Sequence, residues 1–195
     1  MIQRLVGSEM CIRDRQDREL RAAMEKAATM LSSVNTLSQR GNYPFVQFRV
    51  TPNGTSSTKF VSKGMDATSL SIKLNNAQTI ECNTSSGSYW DNNQVDETTK
   101  KISTHISKDG AVCFSKDGSY FKAHGTLKNN LNVTVENRST NQYLILCTTS
   151  NASNGGKCPL DQGGGLEKPA YLVEWTRFGN ISKFKWSGSD WTRQN

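Results

Sequence analysis

Residues Gln16 to Arg40, QDRELRAAMEKAATMLSSVNTLSQR, constrain this chain more than any other stretch. Leu20, Ala23, Ala27, Met30, Leu31, Val34 and Leu37 recur at steps of three and four. That spacing lays one apolar stripe along an α-helix. Arg18, Glu19, Arg21, Glu25, Lys26, Ser33 and Gln39 take the remaining face. Gly41 is placed to cap the helix, and Pro44 prevents its continuation. No other segment has so clear a helical period. The expected fold class is therefore α+β: one long N-terminal amphipathic helix packed on antiparallel sheet. Residues 16–40 form the helix and 41–195 a β-rich globular domain.

The rest of the chain reads as strands and turns. Tyr43 to Val50 alternates, and Thr51-Pro52-Asn53-Gly54 is a turn into a short partner, Thr58 to Ser62, broken at Gly64 and Asp66. Ser69 to Leu74, with Leu70, Ile72 and Leu74 alternating, and Thr79 to Cys82 read as further strands. Asn83 to Lys101 reads as a long polar loop. Ile102 to Ser107, Ala111 to Ser115 and Ser119 to Ala123 read as three strands joined by hairpin turns at Lys108-Asp109-Gly110 and Lys116-Asp117-Gly118. Leu131 to Glu136 is a strand, Asn137 to Asn141 a turn, and Tyr143 to Cys147 the most apolar strand, expected inside its sheet. After a second loop, Ser150 to Lys168, a hairpin of Tyr171 to Phe178 and Ile181 to Trp186 turns at Gly179-Asn180. Trp191 falls in a short tail.

A length of 195 residues suits one domain with a real core. The net charge is +7 and the pI about 9.2, which admits a polyanion as partner. No apolar run is long enough to span a membrane. Apart from Cys11, the cysteines are Cys82, Cys113, Cys147 and Cys158, with no Cys-x-x-Cys pair to hold zinc. Cys147 and Cys158 flank the Gly-rich loop and are the first disulfide to expect; four unpaired thiols are the alternative. Asp91, Asn92, Asn93, Asp96 and Glu97 carry oxygens that suit calcium, but at no EF-hand spacing, so solvated polar residues are the plainer expectation and no metal site is assigned.

Catalytic motifs are missing. His105 and His124 lie beside no nucleophile motif, and neither HExxH nor GxGxxG occurs. The chain therefore reads as non-enzymatic, with no cofactor and no small-molecule substrate. The C-terminal hairpin interleaves Trp175, Phe178, Phe184, Trp186 and Trp191 with Arg177, Lys183, Lys185 and Arg193. Those four cations are the candidate polyanion-binding set, because cations beside stacking rings suit nucleic acid. The plainer alternative packs the aromatics inward and leaves the lysines in water. Sequons at Asn53, Asn83, Asn132, Asn137, Asn151 and Asn180 hint weakly at a secreted glycoprotein.

Two resemblances complete the reading. Within Met1 to Arg15, the string LVGSEMCIRDR resembles a translated sequencing adaptor, so those residues are expected to be foreign to the natural protein. Arg18 to Val50, together with AVCFSKDGSYFKA and YLVEWTRFGNISKFKW, resembles the type IV pilin-like proteins, in particular the GspH/FimT minor pseudopilins. The resemblance implies a subunit of a type II secretion pseudopilus or type IV pilus, with other pilins as partners. It implies a bacterial-envelope location, with an inner-membrane anchor supplied by an apolar upstream half-helix and a periplasmic domain. The family's processing signal, glycine before Phe-Thr-Leu-x-Glu and an apolar run, is not in this sequence. A FimT-like subunit that captures DNA through the C-terminal basic residues is the alternative implication. GNISKFK carries lysines where that group would carry arginines.

Overall fold

The computed structural model describes residues 3–195 apart from 54–56, 77–80, 83–89, 91–94, 107, 118–120, 126, 128–132, 136–137, 141, 153–155, 161–164 and 177. Helix α1 (Gln3–Gln39) is the longest element. It begins earlier than the apolar stripe: the helical register runs back through the residues set aside as adaptor-like. Ion pairs at i,i+4 spacing, Arg15 with Glu19 at 2.9 Å and Arg18 with Asp14 at 3.9 Å, favour that continuation. The stripe itself is buried. Leu20, Ala23, Met24, Ala27, Leu31 and Val34 are each 2% exposed or less, whereas Met10 and Ile12 stand in solvent. The helix closes on Gly41, at φ 75, whose N–H donates to Ser38 O while Asn42 N–H donates to Leu37 O.

Two five-stranded antiparallel sheets receive the helix. The first has β1 (Phe45–Asn53), β2 (Ser57–Met65), β3 (Val95–Lys100), β5 (Gly110–Ser115) and β6 (Phe121–Gly125), in the order β3-β2-β1-β5-β6. The second has β4 (Ile102–Thr104), β9 (Tyr143–Thr148), β10 (Ala170–Trp175), β11 (Ile181–Trp186) and β12 (Trp191–Gln194), in the order β12-β11-β10-β9-β4. Val46, Phe48, Val50, Phe60, Val112 and Phe114 from the first sheet meet Leu144, Leu146, Tyr171, Val173 and Trp175 from the second around the α1 stripe. The helix thus shares one core with both sheets. The opposite face of the second sheet is closed by Cys158 and Leu166 over Ile145, Leu172, Phe184 and Trp186. The opposite face of the first is closed by Cys82 and Trp90 over Met65, Ala111 and Cys113.

Several expectations are corrected. Ser69 to Leu74 is not a strand: it lies in helix α2 (Ala67–Asn75). Asp66 caps α2, its carboxylate accepting from Ser69 N–H at 2.6 Å. Only Leu70 packs inward, and Ile72 and Leu74 are exposed, so the alternation came from one half-buried residue and two surface ones. β2 runs through Gly64 rather than breaking there, because the Tyr43 ring lies where a side chain would stand. Glu81 and Cys82 are not strand residues, and 77–80 lie outside the described residues. The end of the expected polar loop is strand β3, paired along β2 from Ser57↔Lys100 to Ser62↔Val95.

Lys108-Asp109-Gly110 is no hairpin turn. It carries the chain from β4 in one sheet to β5 in the other, while β5 and β6 do pair as a hairpin. Asn137 to Asn141 contains β8 (Arg138–Thr140), paired with β7 (Val133–Val135). Trp191 opens β12 instead of lying in a tail, and packs on Trp186 at 5.1 Å between ring centroids. Tyr143 to Cys147 lies inside its sheet, as β9 between β10 and β4.

Candidate functional site: the seam between helix α1 and the C-terminal hairpin

β10 and β11 form the expected hairpin, with Tyr171↔Lys185, Val173↔Lys183 and Trp175↔Ile181 on the face turned to the helix. The period of two therefore points Lys183 and Lys185 at α1 and Phe184 at the opposite core. Each lysine meets a helix carboxylate. Lys183 Nζ donates to Glu25 Oε1 and Oε2 at 3.0 and 3.1 Å. Lys185 Nζ donates to Asp17 Oδ2 at 3.0 Å, and the Tyr171 hydroxyl donates to Asp17 Oδ1 at 3.0 Å. Lys185 also sits 5.6 Å from the centroid of the Tyr171 ring. At the far end, Asn35 Nδ2 donates to Phe178 O at 3.4 Å. The turn comes this close because Gly179, at φ 78, has no side chain to strike Asn35.

The electrostatics follow from this pairing. The hydrogen bond to Asp17 holds the Lys185 ammonium above its usual pKa, against a smaller opposing effect of burial. Burial first, and then Asp17, push the Tyr171 phenol up. Of the four cations read as a polyanion set, the three described ones are not gathered on one face. Lys183 and Lys185 spend their charge on the helix. Arg193 is exposed at a position opposite Phe184 on β12, and Arg177 lies outside the described residues. The aromatics do turn inward: Trp175, Phe184, Trp186 and Trp191 are buried, and Phe178 is exposed. Neither sequence expectation foresaw that the lysines would face carboxylates rather than phosphates or water. The missed partners, Asp17, Glu25 and Tyr171, border the apolar stripe or lie on β10. Their only sequence signal was a pair of acids on one flank of the helix, facing no identifiable strand.

Elsewhere, His105 is built into the backbone ladder. Its N–H donates to Ile145 O at 3.2 Å, and Ile145 N–H donates back to His105 Nδ1 at 3.1 Å. The ring stacks on Tyr143 at 5.0 Å. Part of the residue still reaches solvent, yet enough protein surrounds it that burial lowers its pKa to about 4. Such a histidine is a structural acceptor rather than a base poised for neutral pH. Cys147 is bonded to Cys158, and Cys82 to Cys113. Among the described residues no three His, Cys, Asp or Glu side chains could hold a metal. Residues 91–94 of the calcium-like group lie outside the described residues, and Glu97 is engaged by Lys26 at 2.8 Å. A groove of about 930 Å³ runs along the exposed flank of α1, lined by Ala22, Lys26, Thr29, Ser33, Ser62 and Glu97 among others. No described helix is long and apolar enough to cross a membrane. Compared with protein-family models, curated proteins and solved structures, the chain matches none.

Proposed function

We propose that this chain is a non-enzymatic subunit of a pilin-like filament, a minor pseudopilin or minor pilin of the GspH/FimT kind. The observation that carries the reading is the burial of α1 over the stretch that resembles the family. The apolar stripe from Leu20 to Val34 is sunk between two antiparallel sheets, so a long N-terminal helix and a β-rich domain share one core. In this reading the buried stripe anchors the domain to the helix. An apolar segment upstream, in the natural protein, inserts in the inner membrane and packs against other subunits, with the domain in the periplasm. DNA capture is the less favoured alternative, because Lys183 and Lys185 are paired to Glu25 and Asp17.

The test is the native gene upstream of the codon for Gln16. The proposal expects a short basic leader, glycine, Phe-Thr-Leu-x-Glu and about twenty apolar residues. A secretory signal with a small-residue cleavage site would overturn it in favour of a secreted domain. A genome that encodes Met1 to Arg15 as they stand would overturn it as well.

A further inference from the structure

β3 is the outer strand of its sheet, with β2 on one side and no described strand on the other. Such an edge presents a row of backbone N–H and C=O groups able to pair with another chain. Beside it lies the groove along α1, where Ala22, Thr29, Ser33 and Thr36 are short and Met30 and Leu37 are apolar. Pairing with β2 sets Asp96 opposite Val61 and Lys100 opposite Ser57, positions on the face away from the helix. Glu97, opposite Phe60, takes the groove face. Thr98 and Lys100 are exposed.

The strand reads Val95-Asp96-Glu97-Thr98-Thr99-Lys100, acidic at one end and basic at the other. That makes it complementary to itself when antiparallel. A two-fold axis through Thr98 sets Asp96 of each copy directly opposite Lys100 of the other, and Glu97 opposite Thr99. An axis through Glu97 would oppose two like charges at its centre. An axis through Thr99 would need Lys101, where the strand ends with φ 60. Opposite charges directly across a strand pair stabilise it and like charges destabilise it.

We propose that two copies of this chain form a two-fold dimer by pairing their β3 edges about Thr98. The two five-stranded sheets become one. The axis is perpendicular to the sheet, so both α1 helices lie on the same side and their grooves meet over the seam. This proposal does not depend on the filament reading.

Sedimentation equilibrium of the full chain across a wide concentration range tests it, in a Cys11→Ser background, because the exposed thiol could link copies covalently. A reversible dimer is expected. Lys100→Glu, and separately Asp96→Lys, should each weaken it about tenfold, and the two together should restore it. Circular dichroism matching the parent would confirm that each variant is folded. Three results overturn the proposal: a monomer at every concentration, a dimer indifferent to both single changes, or a weakened dimer that the double change does not restore.

Discussion

At the residue scale, His105 does the work of a backbone carbonyl, accepting the Ile145 N–H where the β4 ladder ends. The folded protein holds this ring neutral, with its pKa lowered from 6.5 to about 4. A depressed histidine pKa contributes stability that is present above pH 6.5 and lost as pH falls toward 4. The full shift corresponds to about 3 kcal/mol, an upper bound because part of the residue reaches solvent. Urea unfolding between pH 7 and 4 should show this acid limb, and His105→Asn, which keeps an acceptor near Nδ1, should flatten it. Lys101 is a point of backbone strain. Its φ of 60 lets the chain leave β3 in one sheet and enter β4 in the other. A left-handed non-glycine residue costs roughly 1 kcal/mol. Lys101→Asn should therefore raise the melting temperature slightly, and a fall would show that the lysine side chain contributes more than the backbone costs.

At the element scale, α1 is held to the second sheet by polar links as well as by its stripe. Lys185 and Tyr171 both have raised pKa values, so both contribute stability that is complete below pH 10 and lost as pH rises through their folded values. The seam between α1 and β10–β11 should loosen first on alkaline titration, which tryptophan fluorescence can follow through Trp175. Lys185→Ala should cost on the order of 0.5–1 kcal/mol, because the pair is partly exposed and screened, and the cost should shrink in high salt. The helix should also be uneven along its length. Amide exchange is expected to be fast at residues 10–15, which stand in solvent, and slow at Leu20 to Val34, which lie in the core. Uniform protection over the whole helix would contradict the exposure of residues 10–15.

At the scale of the whole molecule, the two disulfides close loops of 11 and 31 residues, one on each outer face. The chain-entropy relation gives about 3 and 4 kcal/mol respectively. Cys82→Ala with Cys113→Ala should therefore lower stability more than Cys147→Ala with Cys158→Ala, as read by chemical denaturation. The sequence by itself determined the helix over Gln16 to Arg40 and the closing hairpin about Gly179-Asn180. Helical periodicity and turn chemistry are properties of a few neighbouring residues. It left open whether the hairpin's aromatics turn inward, as Trp175, Phe184, Trp186 and Trp191 do and Phe178 does not. Only the tertiary structure decided how the strands divide between two sheets, that β3 is an edge, and that Lys183 and Lys185 meet Glu25 and Asp17. It also decided that Leu70, Ile72 and Leu74 ride on a capped helix, where a strand had the same apparent alternation. These outcomes depend on which distant segments meet, and a carboxylate on a helix flank carries no mark of the strand it will face.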